Sequence, residues 1–463
     1  MLTRRRWLQA AVPLAAQTRR PNILFLLADD MRFDTIHALG NEEIRTPNLD
    51  RLAGRGTAFT HAAIMGGTMG AVCVPSRAML LTGRTLFRAH ETVIAPKPGA
   101  EPPATFPGLF RDAGYKSYGI GKWHNGERLY ARSFSGGSGI FFGGMADHLK
   151  TPVAEFDPAG EFPKAGRREG EKFSSELFSD AAIRFLNGHS GPDPFCLYVA
   201  YTAPHDPRMA PKEFRDLYPP EKMKLPRSFL PEHPFDNGEL RVRDEMLAPH
   251  PRTPAVVREH IAAYYAMITH LDSQIGRVLE ALDRSPHAAN TIVVFAADNG
   301  LAVGRHGLMG KQNVYEHSVR VPLMIAGPGL PRGKRSDAMC YLLDLFPTLC
   351  DLTGVRAPAT VEGKSLAPVL HGSARSHRDS LLFAYRGFQR AVRTDRWKLI
   401  RYNVGGKRTT QLFDLREDPE ETRDLSGDPS QPDRIAELQR LLERHMRAAG
   451  DSTLAGWLTG RPD

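Results

Sequence analysis

Four short segments carry side chains that could do chemistry together. Asp29 and Asp30 follow one apolar run, Lys122 and His124 a second, His205 a third, and Asp298 and Asn299 a fourth. Three carboxylates and an amide are hard oxygen donors, which suit Ca2+ or Mg2+ better than a thiophilic metal. Lysine and histidine bind anions and move protons. A single Asp after a strand is usually a cap or turn residue. Four strand ends that mix acids with bases point instead to one active site. A fifth segment, Cys73-Val74-Pro75-Ser76-Arg77, sets a thiol among small and polar residues, unlike a core cysteine. No pair of Cys or His has zinc-type spacing.

The elements that must position these groups are legible in the hydrophobic pattern. Residues 22–28 form a continuous apolar run, which reads as a strand buried on both faces of a parallel sheet. Further strands are predicted over residues 116–121, 195–201 and 291–297. Helices are predicted from 46 (with Pro47 at the first position), over 105–114, 174–188 and 257–285. This alternation predicts an α/β fold: a mostly parallel central sheet sandwiched by helices. Ligands then bind outside the carboxyl ends of the strands. From about residue 376 short, turn-separated apolar runs predict a smaller antiparallel sheet, followed by a helix over 433–449. The expected division is 1–20 as a targeting segment, 21–375 as the catalytic domain and 376–463 as a C-terminal α+β subdomain. Residues 210–256, rich in Pro, charge and His, read as an irregular insertion over the sheet edge.

Bulk properties narrow the class. The 463 residues are 41% hydrophobic and 24% charged, ordinary for a globular protein. No apolar run reaches the length of a membrane span. The formal charge is +9, with Arg4, Arg5 and Arg6 contributing three of it. That excess could help attract an anionic substrate; a solvated basic surface explains it equally well. Nothing resembles a nucleic-acid module. Four cysteines make no disulfide scaffold. Cys196 reads as a buried strand thiol, and a helix over 345–352 would set Cys340 and Cys350 apart, which disfavours a disulfide between them and leaves it as the alternative. Residues 3–16, from Thr3-Arg4-Arg5-Arg6-Trp7, resemble a twin-arginine export signal, with Trp7 for the usual Phe and no clean Ala-x-Ala site after it; the resemblance implies a periplasmic destination, and a basic, disordered cytoplasmic start is the alternative.

Residues 73–84, Cys-Val-Pro-Ser-Arg-Ala-Met-Leu-Leu-Thr-Gly-Arg, resemble the signature of the type I, formylglycine-dependent sulfatases of the alkaline phosphatase superfamily. Val74 departs from the small residue usual at the second position. The resemblance extends over most of the chain. It implies that a dedicated maturation enzyme oxidises Cys73 to formylglycine. It further implies that Asp29, Asp30, Asp298, Asn299 and the modified Cys73 hold Ca2+, with Mg2+ the alternative. Arg77 matches the arginine that holds the formylglycine hydrate. Lys122 and His124 match the family's Gly-Lys-Trp-His pair, His205 its Pro-His histidine and Lys311 its second active-site lysine. Residues 411–425, with Asp414, Asp418 and Pro419, resemble its C-terminal signature.

The implied reaction suits these residue types. A sulfate monoester is anionic and resists nucleophiles; the metal, Lys122, Lys311 and Arg77 would neutralise its oxygens. One hydroxyl of a hydrated aldehyde attacks sulfur. His205, with Lys311, protonates the departing alkoxide, and His124 takes the proton of the second hydroxyl as sulfate leaves. The expected substrate is a sulfated carbohydrate or small molecule. One alternative is a phosphonate or phosphate ester hydrolase of the same superfamily. Another is a non-catalytic sulfoglycan-binding relative, against which intact Cys73, Pro75 and Arg77 argue. Specificity is expected in residues 125–175 and 206–256 and near Tyr385 and Arg386. His306 is expected at the substrate, in a supporting position, or on a surface loop; His37, His90 and His317 read as structural or solvated.

Overall fold

After its first residue, Asn22, the strand Asn22–Ala28 has no polar side chain to show water, and it takes the centre of an eight-stranded sheet, buried along its whole length. The computed structural model describes residues 19–459, so the export-like segment at residues 3–16 lies outside the described residues. Thr291–Ala297 and Phe195–Ala200 flank the central strand, both parallel to it. Lys116–Lys122 and Gly136–Phe141 extend the sheet on one side. Leu323–Ala326, Thr57–Phe59 and Lys334–Ser336 extend it on the other, and Leu323–Ala326 runs antiparallel to both of its neighbours. The sheet is therefore mostly parallel, as the strand–helix alternation predicts.

The helices cover the sheet for ordinary reasons. Pro254–Arg284 starts at Thr253, whose side chain accepts from the Val256 N–H, with Pro254 in the first turn where its missing N–H costs nothing. It packs against Ser174–Gly188. Phe106, opening the helix Phe106–Asp112, lies 5.3 Å from Phe25 of the central strand, ring centre to ring centre. Among the described residues no helix is long and apolar enough to cross a membrane. All four cysteines are free and buried.

Register brings the strand ends level. Ala28 sits opposite Ala297, Leu27 opposite Ala200, and Gly121 opposite Ala200. Gly121 has φ +82°, and a Cβ there would meet the Ala200 carbonyl oxygen at 2.0 Å. Only glycine lets this strand pass its neighbour and deliver Lys122 to the same rim.

Leu381–Tyr385, Gln389–Arg393, Trp397–Val404 and Lys407–Asp414 form the smaller antiparallel meander. Its fifth strand, Gly66–Gly67, comes from just before Cys73 and pairs parallel to Leu381–Tyr385. Below the meander Arg390 and Asp451 form a fully buried pair at 2.6 Å. Asp451→Ala would leave that guanidinium without a counter-charge, so a loss of about 3–5 kcal/mol in urea unfolding is expected. A loss below about 1 kcal/mol would show that the remaining contacts of Arg390 suffice.

Up to the long helix that begins at Pro254, the insertion at 210–256 contains only short helical turns, Lys212–Arg215, Pro220–Lys222 and Glu245–Leu247. It does not stay at the sheet edge as its composition suggests. It comes over the carboxyl ends of the strands, because Asp244 and Glu245 find their hydrogen-bond partners in residues 309–312.

Candidate active site

Cys73 opens the helix Cys73–Thr82, which is buried on nearly all sides and ends at Gly83 in the left-handed conformation. Cys73 is only 2% exposed, a degree of burial that its small, polar neighbours do not suggest. It packs outside the apolar core, however, on the floor of a cavity of about 350 Å3. Its Sγ lies 3.2 Å from His124 Nδ1 and 3.8 Å from Lys122 Nζ. Burial pushes the thiol pKa up, against the pull of Lys122 and Lys311. A thiol so held is no ready thiolate nucleophile.

The acidic strand ends meet beside it. Ligand atoms of Asp29, Cys73 and Asp298 all lie within 4.8 Å of one another. Asp30 has φ +64° and His124 φ +62°, so two of these side chains leave their strands through left-handed backbone. Such strain is tolerated where the surrounding structure demands it. The Asp30 N–H donates to Asp298 Oδ1 at 3.1 Å, and Asn299 Nδ2 donates to Asp30 Oδ1 at 2.7 Å. Among the acids and the amide at these strand ends, three buried oxygens have no donor: Asp29 Oδ1, Asp30 Oδ2 and Asn299 Oδ1. Buried acceptors without partners are costly. Three of them beside Asp298 fit a hard divalent cation such as Ca2+ or Mg2+.

Cations ring the carboxylates. Lys122 Nζ lies 2.5 Å from Asp29 Oδ2, Lys311 Nζ 2.5 Å from Asp30 Oδ1, and Arg77 Nε 2.8 Å from Asp298 Oδ2. Arg77 also donates to the Lys122 carbonyl at 2.5 Å. Burial and the neighbouring Asp29 lift the Asp298 carboxyl to about 6. Burial also opposes ionisation of Asp30, but Lys311 outweighs it and holds that carboxyl well below the usual range, while burial pushes the neighbouring His205 well below its ordinary value and leaves its ring neutral. Burial works against the Lys311 ammonium too, yet Asp30 keeps it firmly protonated. Burial, then Lys122, pulls His124 down to about 2, which leaves a neutral ring able to accept a proton. His205 Nδ1 donates to the Asp206 carbonyl at 2.8 Å, which directs Nε2 toward Asp30 Oδ2 at 3.7 Å.

The cavity thus gathers Cys73, His124, His205 and Lys311 in its wall, with Arg77 and the acids behind. It also holds residues without a sequence signal: Met145, Arg243, Asp244 and Gln312. Arg243 pairs with both Asp206 and Asp244. Gly144, from the 125–175 insertion, accepts from Lys122 Nζ at 2.5 Å, and a Cβ there would strike the His124 ring. Asp206 could have been noticed as the residue after His205; Asp244 and Gln312 lie in no motif. Tyr385 and Arg386 do approach the insertion, through Glu239, at 2.9 and 2.6 Å. His306 lies neither in the cavity wall nor on the surface. It is buried and stacks on Tyr315 at 4.1 Å. His317 is buried beside it, while His37 pairs with Asp50 and His90 with Thr68.

A mostly parallel α/β sheet with lysines, histidines and acids gathered at its carboxyl end defines a hydrolase of anionic esters with the alkaline-phosphatase-like fold. A family model described as Sulfatase matches residues 21–355, and one described as N-sulphoglucosamine sulphohydrolase, C-terminal, matches residues 304–448. The chain belongs to the sulfatase family and is a sulfuric ester hydrolase. It is 27% identical to an N-acetylglucosamine-6-O-sulfatase of Bacteroides thetaiotaomicron, over 96% of this chain and 89% of that one. It is 30% identical to a sulfatase of Formosa agariphila, over 92% and 87%. A solved structure described as a complex with its substrate D-glucosamine-2-N,6-O-disulfate superimposes with TM-score 0.78 at 26% identity, covering 94% of this chain and 99% of that one. A phosphonate monoester hydrolase of Silicibacter pomeroyi shares the fold, with TM-score 0.70 at 23% identity over 94% and 97% of the two chains.

Proposed function

We propose that this sulfatase hydrolyses sulfate monoesters of carbohydrates at a centre in which Cys73 is matured to formylglycine. Asp29, Asp30, Asp298 and Asn299 would hold Ca2+, or Mg2+ in its place. The observation that carries this reading is the set of donor-less oxygens on Asp29, Asp30 and Asn299, packed against a buried Cys73. A hydrated aldehyde beside a divalent cation supplies a nucleophilic hydroxyl of lowered pKa and a second hydroxyl through which sulfate can be released. The rest is done by this chain's own side chains. Lys311, in the cavity wall, binds and orients the sulfate oxygens, and Lys122 and Arg77, buried behind it, add positive charge that helps neutralise what shifts onto them. Lys311, held protonated, stands ready to give a proton to the leaving oxygen, while His205 beside it, kept neutral by burial and with its Nδ1 hydrogen on the Asp206 carbonyl, would first have to take up a proton at Nε2 before sharing that task. Neutral His124, 3.2 Å from Cys73 Sγ, is placed to take one.

A sulfated glycan is the substrate class best supported, because the most similar relatives include a sulfatase of N-acetylglucosamine and a structure bound to a disulfated glucosamine. The basic start at Arg4, Arg5 and Arg6 supports export to the periplasm. In enzyme produced with a formylglycine-generating partner, the tryptic peptide carrying Cys73 is expected to be lighter by about 18 Da, the difference between thiol and aldehyde and opposite in sign to ordinary oxidation. An unaltered mass in active enzyme would remove formylglycine from the reading. A panel of sulfated mono- and disaccharides tests the glycan class; turnover confined to aryl sulfates would defeat it, and faster turnover of an aryl phosphonate diester would overturn sulfate as the preferred group.

A further inference from the structure

We infer that Glu245 is a positioning residue for Lys311, so that the irregular segment 210–256 sets turnover and not only access. The inference rests on the role given to Lys311 above. Glu245 is 2% exposed, and its carboxylate grips the lysine loop by the backbone: Oε2 accepts from the Met309 N–H and Oε1 from the Gly310 N–H, both at 2.8 Å. Arg252, equally buried, balances its charge at 2.8 Å and donates to the Glu245 carbonyl at 2.7 Å. The next amide is held indirectly. The Lys311 N–H donates to Gln312 Oε1 at 2.9 Å, and Gln312 Nε2 donates to Asp244 Oδ2 at 2.7 Å. Three successive amides, at 309, 310 and 311, therefore end on side chains belonging to or anchored by this insertion.

The lysine needs such an anchor. Its loop belongs to no strand, and its four-carbon stem is flexible. A point charge on a flexible stem is delivered accurately only if the backbone below it is fixed, and a misplacement of an ångström is costly in catalysis. Gly310 leaves no slack, since a Cβ there would lie 2.3 Å from Gln312 Oε1. Glu245 does not reach the cavity wall, whereas Lys311 does. Its influence on turnover must then pass through the loop.

Glu245→Gln keeps the side-chain shape but offers one acceptor to two amides and turns an NH2 toward Arg252. The expected result on an activated aryl sulfate is a fall in kcat of about 10- to 100-fold with KM changed by less than about threefold. In a Lys311→Ala background the same substitution should lower kcat no further, since the group it positions is gone. Losses that multiply in the double variant overturn the inference, as does an effect confined to KM. If Glu245→Gln does not fold, Glu245→Asp enters the same cycle. It keeps the charge for Arg252 and shortens the reach by one methylene, and non-additivity is again the expected outcome. Unimpaired turnover by Lys311→Ala alone would instead remove the lysine from the mechanism, a failure read from the single variant and distinct from failure of the clamp.

Discussion

Cys73→Ser is expected to abolish sulfatase turnover, lowering kcat/KM by at least about 10^4-fold, while the fold and metal binding survive. The substitution is small. Serine fills nearly the same space at the start of the helix Cys73–Thr82, and its hydroxyl can accept from Lys122 and meet His124 as the thiol does. Unfolding free energy should therefore move by no more than about 1 kcal/mol. Chemistry should not survive. An ordinary hydroxyl is a weak nucleophile and, once sulfated, has no second hydroxyl through which to release the group. The measurement is kcat/KM on an aryl sulfate, with metal content and urea unfolding alongside, in a host that lacks a serine-type maturation enzyme. Activity within tenfold of the parent would end the assignment of Cys73 as precursor of the nucleophile. The raised thiol pKa adds one point: a thiol held protonated by burial would itself be a poor nucleophile.

Asp298→Ala is expected to lose the metal and the activity together, with kcat reduced by about 10^3-fold or more. Asp298 receives the Asp30 N–H on one oxygen and Arg77 Nε on the other. It thereby orders an acidic neighbour as well as offering an oxygen of its own. Its carboxyl is lifted to about 6 by burial and by Asp29, the mark of carboxylates crowded together. A divalent cation relieves that crowding, and binding it only in the folded state stabilises the fold by mass action. Without Asp298 the fully buried Arg77 keeps only Asp29, at 4.0 Å, as a counter-charge. A lower melting temperature should therefore accompany the loss of metal, and chelation of the parent enzyme should lower it in the same direction. Elemental analysis decides the matter: one equivalent of metal retained by the variant would show that the cage is built from other groups.

Much of the fold was legible because it obeys local rules. Residues 23–28, 195–201 and 292–297 are apolar without a break, and such runs have nowhere to go but the middle of a sheet. The helix over 174–188 appears with the bounds its periodicity predicts. The chemistry-bearing residues were legible for a related reason. Asp29, His205 and Asp298 follow those runs and Lys122 ends the strand Lys116–Lys122; any one of them could be a cap or turn residue, but four strand ends that mix acids with bases mark a site. Cys73 and Arg77 were legible only as part of a motif.

What the chain order could not convey is how these groups pair. Nothing in the spacing of residues 29 to 311 tells Lys122 to face Asp29 and Lys311 to face Asp30; strand order and register decide it. The deep burial of Cys73, the place of His306 on Tyr315 and the descent of the 210–256 insertion onto residues 309–312 were likewise hidden. Each depends on contacts across long stretches of sequence, between groups that look like ordinary loop residues where they stand. Local hydrophobic pattern determines which segments are buried and so where their polar ends emerge. Only the packing of distant segments decides which charges face one another, because in a buried site each carboxylate, amide and ammonium must find its partner in three dimensions.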